Sequence, residues 1–236
     1  MNFNNYFENE PSTYTRLKDR ADLSAEEFKK CLNENNIDDH SQIKNANLFA
    51  SRIKIFLYNH LKKYDVNFLD CGCGLGFIAR ELQKICNYKV YYCDPSESVK
   101  IIHEKIFQDG NFFQSDIENL STFKRNYDII YLREIYPFTR DSNSENQKKL
   151  INILINQLKD KGFLILEQIK NENDLFSNLR NLKVDYEIIY LLPSKFGKNN
   201  FLNLIFFKIK FLQFLLRLTY KIFSKKINHF ILIYKI

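Results

Sequence analysis

The sequence predicts an α/β fold, in which a mostly parallel sheet of seven strands carries helices on both faces. Three observations lead there. Short runs rich in Val, Ile, Leu, Phe and Tyr alternate with stretches whose apolar residues recur every three or four positions. The run Val66-Asn67-Phe68-Leu69 leads straight into Asp70-Cys71-Gly72-Cys73-Gly74-Leu75-Gly76, which holds three of the chain's 6 glycines, and then into a helical pattern that opens at Phe77. Tyr127-Asp128-Ile129-Ile130-Tyr131-Leu132 is almost continuously apolar, as a strand covered on both faces must be. A length of 236 residues suits one such domain with a substantial core and is too short for two.

Taken in order, residues 1–40 are polar with scattered aromatics. Ser24 and Glu27 form a capping-box pattern ahead of Phe28, Cys31 and Leu32 at helical spacing, so a short helix is expected there. From 41 to 64, Ile43, Ala46, Ala50, Ile53, Leu57, Leu61 and Tyr64 mark a helix with one buried face. After the glycine turn, a helix to about Asn87 buries Ile78, Leu82 and Ile85, and Lys89–Cys93 is the second strand. Pro95 stops that strand, and a helix restarts near Glu97 with Val99, Ile102 and Ile106 on one side. His103 on this helix reads as a packing residue without a partner. Residues 111–117 form a third, short strand ending in Asp116, and the fourth strand delivers Arg133 through Arg140 to the carboxyl edge of the sheet. Residues 145–159 are a helix, stopped by Asp160-Lys161-Gly162. Strands at 163–168, 184–192 and 229–234 complete the seven, with a helix marked by Leu175, Leu179 and Leu182 between the first two of these.

Glycines at alternate positions where a strand turns into a helix let a ligand approach the backbone and the helix N-terminus. The dinucleotide fingerprint needs its last glycine at position 77, which is Phe77; the third glycine stands one residue earlier, at Gly76. A nicotinamide-binding domain is therefore the weaker of two readings. The Gly-x-Gly-x-Gly register with Asp70 ahead of it resembles the first motif of class I S-adenosylmethionine-dependent methyltransferases. The order of five β/α units and a closing pair of strands, over residues 41–236, is similar to the same family.

The resemblance implies a Rossmann-like sheet with its last strand antiparallel and S-adenosyl-L-methionine as cofactor. It implies contacts to that cofactor from Asp70, Gly72, Cys73, Gly74 and Gly76, and from Leu132 at the end of the fourth strand. Asp94, at the tip of the second strand with Pro95 and Ser96 in the same turn, takes the place of the carboxylate that binds the ribose hydroxyls; the alternative is that Asp94 caps the next helix. Asp116 and Ile117 take the places that meet the adenine. Residues 1–40 take the place of a lid over the cofactor, with Tyr14 and Arg16 as candidate contacts for its carboxylate or as ordinary surface residues.

In such enzymes the protein mainly holds an acceptor atom in line with the methyl group. Glu134, Tyr136 and Glu167 are the candidate general bases at strand ends, and Arg133 and Arg140 suit a phosphate or carboxylate on the acceptor, or else surface ion pairs. The Asn-Pro-Pro-Tyr motif of enzymes that methylate amino groups of DNA and glutamine is not present. The expected substrate is a small molecule or glycan precursor, methylated on oxygen; the layout resembles stand-alone methyltransferases that decorate surface (capsular) polysaccharides or their precursors. A membrane-associated lipid or quinone methyltransferase and a non-catalytic cofactor-binding interaction module are the alternatives.

Charge and cysteine usage narrow the partners. The net charge is +7, yet residues 195–236 hold nine Lys or Arg and no Asp or Glu, so the body is slightly acidic. That pattern disfavours nucleic acid as partner. In residues 201–226, Asn203, Lys210, Gln213, Arg217, Lys221 and Lys225 fall on one stripe and Phe, Leu and Ile fill most of the rest. This insertion, at about 197–227, is expected either to cap the substrate pocket or to lie on a membrane surface, since its basic residues interrupt it too often for a membrane span. Five cysteines fit neither a disulfide framework nor a zinc site, so no metal is expected. The first residues lack the basic start and apolar stretch of a secretory signal, and a cytoplasmic protein, at most peripheral at a membrane, is expected.

Overall fold

The computed structural model describes residues 20, 22–34, 40–60, 65–123, 126–135, 138, 144–168, 179–180, 185–191, 202, 205–206, 208–223 and 229–234. Seven strands, β1 (Asn67–Cys71), β2 (Lys89–Asp94), β3 (Phe112–Gln114), β4 (Tyr127–Arg133), β5 (Leu158–Gln168), β6 (Tyr186–Tyr190) and β7 (His229–Tyr234), form one sheet. Their order is β3-β2-β1-β4-β5-β7-β6. β1 to β5 pair in parallel, and β7 runs antiparallel between β5 and β6. The order reverses at β1/β4, the place where open α/β sheets leave a crevice beyond the carboxyl ends of their strands.

Alternation along the central strands sends successive side chains to opposite faces. Phe68, Tyr131, Ile165 and Leu232 enter one core, beneath α1 (Ala25–Glu34), α2 (His40–His60), α3 (Phe77–Cys86) and α4 (Glu97–Ile102). Leu69, Ile130, Leu164 and Ile231 enter the other, with Leu150, Ile151 and Leu154 of α5 (Ser144–Asn156). The capping box of α1 is formed: Ser24 N donates to Glu27 Oε2 at 2.9 Å and Glu27 N to Ser24 Oγ at 3.3 Å. The helix then seats Phe28 edge-on against Phe107, which in turn meets Phe77 at the start of α3.

Three boundaries differ from expectation. α4 passes at His103 into a wider π-turn, His103–Phe107, closed by Gln108 in the left-handed region. α5 ends at Asn156, and Asp160-Lys161-Gly162, expected to stop it, lies within β5. The register with β4 slips there, Lys161 has φ 63, and a Cβ on Gly162 would stand 2.8 Å from the Lys159 carbonyl oxygen. The glycine serves a bulge, pinned by Lys159 Nζ at 2.8 Å from Asp128 Oδ2, and not a helix cap. The insertion differs as well. The helical stretch is interrupted at Ile209 and resumes as α6 (Lys210–Phe223), which packs on the outer edge of β6. Gln213, expected on the solvent stripe, is turned inward. Its Oε1 accepts from Tyr190 N at 2.7 Å and its Nε2 donates to Tyr190 O at 3.0 Å, which satisfies backbone groups of the edge strand. The helix expected around Leu175–Leu182 lies outside the described residues except for 179–180.

Candidate active site

The glycine turn is built before any ligand reaches it. Gly72, Gly74 and Gly76 have φ of 73, 51 and 66, all in the region where a side chain is strained. Gly72 N and Cys73 N both donate to the Cys93 carbonyl, at 2.7 and 3.0 Å, so the turn is tied to the end of β2, and Gly76 N returns to Cys73 O at 2.9 Å. At Gly72 the backbone conformation is not the whole reason for glycine. A Cβ there would stand 2.2 Å from Ile135 Cδ1, so the loop after β4 closes directly over the turn after β1. A Cβ on Gly76 would press on the Tyr92 ring at 2.9 Å.

Asp94 stands beside this turn. Its Oδ2 accepts from Gly74 N at 2.9 Å and its Oδ1 from Ser96 N at 3.0 Å. The cap of α4 is Ser96, whose Oγ accepts from Val99 N at 3.2 Å, so the sequence alternative of Asp94 as a helix cap does not describe this carboxylate. Pro95 lends its carbonyl to Gln114 of β3 at 3.0 Å. Asp116 is partly buried and its Oδ1 takes both the backbone and side-chain N–H of Asn119, at 2.8 and 2.9 Å, in the turn after β3. Ile117 is buried, and the Leu132 side chain is core on the α5 face.

A second group of polar side chains lies on the α2 side of the sheet, at the carboxyl ends of β1, β4 and β5. Asp70 and Tyr131 are register partners, as are Arg133 and Glu167. The Tyr131 hydroxyl donates to Glu167 Oε2, and Arg133 Nε lies 3.7 Å from Glu167 Oε1. The Arg133 guanidinium is 4.5 Å from the centre of the Phe49 ring on α2, which also meets the buried Arg52 at 5.8 Å. Burial, then the charge of Glu167, pushes the Tyr131 hydroxyl far up; burial opposes the charge on Arg133, but Glu167, Tyr131, Glu134 and Asp70 together outweigh it and hold the guanidinium charged. The Asp70 carboxyl is pushed up to about 7, first by burial and then by Asp94, with Arg80 and Arg133 pulling the other way. Glu134 follows with φ 52, a strained conformation for a glutamate, and its N–H donates to the Glu167 carbonyl at 3.0 Å.

The structure thus sets Asp70, Gly72, Cys73, Gly74 and Gly76, at the end of β1 and in its turn, beside Asp94, Pro95 and Ser96 at the end of β2, with Asp116 and Ile117 after β3 and Arg133, Glu134 and Glu167 at the ends of β4 and β5. Tyr136, Arg140, Tyr14 and Arg16 lie outside the described residues.

One group escaped the sequence reading, and His103 is a correction to it. The imidazole is fully buried, with Nε2 2.8 Å from the Gly74 carbonyl and Nδ1 2.8 Å from Asp109 Oδ2. Arg80 of α3 grips both oxygens of Asp109 and donates from Nε to the Leu75 carbonyl at 3.3 Å. Burial raises the Asp109 carboxyl, but hydrogen bonds from His103 and Arg80 outweigh it and hold it below the usual range. Carbonyls of the glycine turn need donors, and this triad supplies them from behind. Arg80 and Asp109 are 29 residues apart, a separation with no recognisable pattern in sequence.

Sheet order and site geometry together define a class I methyltransferase fold, and comparison with known proteins agrees. Residues 69–166 match the family model of the methyltransferase domain. A malonyl-[acyl-carrier protein] O-methyltransferase of Ilyobacter polytropus is 27% identical over 139 residues, 57% of this chain and 48% of that protein. The chain therefore aligns with about half the length of this curated relative. Among solved structures, the plantazolicin methyltransferase BpumL in complex with SAH superposes with a TM-score of 0.55 at 19% identity, over 86% of this chain and 89% of that one. The N-methyltransferase NodS from Bradyrhizobium japonicum gives 0.52 at 11% identity, over 79% and 93%.

Proposed function

We propose that this chain is an S-adenosyl-L-methionine-dependent methyltransferase acting on a small molecule or glycan precursor, with an oxygen of an anionic or phosphorylated acceptor receiving the methyl group. The observation that carries the cofactor assignment is Asp94. Backbone N–H groups of Gly74 and Ser96 orient its two oxygens, one each, beside a turn whose three glycines all hold positive φ. A carboxylate so oriented suits a ribose diol, whose two hydroxyl protons it can accept. Asp70, buried and raised toward neutrality, is assigned to the ammonium of the same ligand, whose charge would restore its ionised form. Asp116 and Ile117 are assigned to the adenine end. When bound, the cofactor supplies an electrophilic methyl group on a sulfonium.

On the acceptor side, Arg133 and Arg140 are assigned to the acceptor's charge, and Glu134, Tyr136 and Glu167 to its proton. An acceptor that is already anionic needs no base, and then Glu167 serves to keep Arg133 aimed. The name of the Ilyobacter relative supports oxygen as the methylated atom, and the plantazolicin neighbours keep small peptides among the acceptors to test. We assign the reaction to the cytoplasm, with precursors of surface polysaccharide as its setting, and extend the proposal to peripheral membrane contact through residues 201–226. Exposed apolar side chains on α6 favour one second reading, methylation of a lipid or quinone.

A screen of phosphorylated metabolites, nucleotide-linked sugars, acyl carboxylates and short peptides for formation of S-adenosylhomocysteine tests the proposal. Turnover with an anionic oxygen acceptor is expected. Turnover only with quinone or lipid selects the second reading, and tight cofactor binding without turnover on any acceptor class selects a non-catalytic module.

A further inference from the structure

The inward turn of Gln213 has a consequence on the other side of α6. With the amide spent on Tyr190, the helix presents Phe211, Phe214, Leu215 and Leu218 to solvent, at 65%, 55%, 42% and 38% exposure. Their spacing, i, i+3, i+4 and i+7, puts them on one stripe. Lys210 and Arg217, both exposed, fall on one flank of that stripe at the same helical spacing. Four large apolar side chains in a row on a surface mark a contact site. Among the described residues no helix is long and apolar enough to cross a membrane.

We infer that this face of α6 docks in the plane of an anionic lipid surface, with the apolar stripe entering the headgroup boundary and Lys210 and Arg217 meeting lipid phosphates. Charge selects that occupant. Residues 195–236 contain nine basic and no acidic residues, so a second copy packed face to face would set like charges together, whereas an anionic bilayer offers both the apolar layer and the opposite charge. The inference deepens the peripheral-contact part of the proposed function and is independent of the methyl acceptor. The helix lies at the β6 edge of the sheet, away from the β1/β4 crevice, so docking leaves the cofactor turn accessible.

The test uses the full chain, vesicles of pure phosphatidylcholine, and vesicles of phosphatidylcholine with a third of phosphatidylglycerol. Two variants are compared, F211S/F214S/L218S for the stripe and K210Q/R217Q for the charge. Calorimetry with S-adenosylmethionine accompanies each, so that a misfolded protein or a failed cofactor assignment is seen separately. The wild type should sediment with anionic vesicles at low salt and be released by salt. Each basic residue near an anionic surface is worth roughly fivefold in affinity, so the double charge variant should bind about 25-fold more weakly. The stripe variant should lose binding to the anionic vesicles, with cofactor affinity unchanged. Failure of the wild type to bind anionic vesicles overturns the inference. So does equal binding by the stripe variant, and so does a concentration-dependent dimer that the stripe variant abolishes, because the face then belongs to a second copy.

Discussion

Asp70→Asn separates folding from ligand binding at the centre of the site. The Asp70 carboxyl is raised from 3.8 to about 7 in the folded chain, by burial first and by Asp94 second. The folded state therefore holds the proton more tightly than the unfolded chain. Its contribution to stability is complete below the unfolded value and is lost as pH climbs through about 7. At 1.36 kcal/mol per unit the full range is about 4 kcal/mol, of which about 2.5 kcal/mol falls between about pH 5 and pH 8. Asparagine keeps the shape and removes the titration. Urea denaturation of the wild type and the variant should show the wild type losing about 2.5 kcal/mol relative to the variant over that interval, or about 5–10 °C in melting temperature for a chain of this size. Cofactor affinity should move the opposite way. In the wild type it should strengthen as pH rises through about 7, because the carboxylate and not the acid attracts an ammonium, and in the variant it should be weak and flat. Parallel pH profiles of stability for the two proteins would refute the burial of an ionisable Asp70 and the role given to it.

Gly72→Ala should weaken cofactor binding at least tenfold and destabilise by about 1–3 kcal/mol, because the new methyl group meets Ile135 and the backbone is at positive φ; isothermal titration and melting curves check both. His103→Asn should destabilise by roughly 2–4 kcal/mol and weaken cofactor binding, since the Gly74 carbonyl and Asp109 lose the buried ring that joins them; an unchanged melting temperature would refute a structural role for the triad. Ser24→Ala should cost about 1 kcal/mol through the cap of α1 and leave cofactor affinity within twofold, measured by the same two methods.

The sheet was legible because its strands are short apolar runs and its punctuation is local: Pro95 after β2, three glycines after β1, Ser24 and Glu27 before α1. Asp94 was legible for the same reason, since a strand tip is fixed by the strand. The bulge at Lys159–Gly162 was not. A glycine after a helical repeat looks the same whether it ends the helix or turns within a strand, and only the approach of the Lys159 and Asp128 carbonyls decides. Arg80, His103 and Asp109 were hidden because long-range polar contacts leave no period in the sequence. α6 misled the amphipathic reading for a physical reason: the unpaired backbone of an edge strand attracts a polar side chain inward, and Gln213 answers it at the cost of exposing Phe211 and Phe214. Tyr136 and Arg140, the acceptor-side candidates that follow β4, lie outside the described residues, in a stretch where pattern carries least.

The most direct test of the account is a calorimetric titration of the full chain with S-adenosylmethionine, repeated on Asp94→Ala. The wild type should bind one equivalent. The variant, stripped of the carboxylate that Gly74 and Ser96 hold in place, should bind at least about 30-fold more weakly, equivalent to about 2 kcal/mol for charge-assisted hydrogen bonds to a diol. Absence of binding by a folded wild type, or equal affinity in the two proteins, would contradict the assignment of Asp94 and the glycine turn to the cofactor.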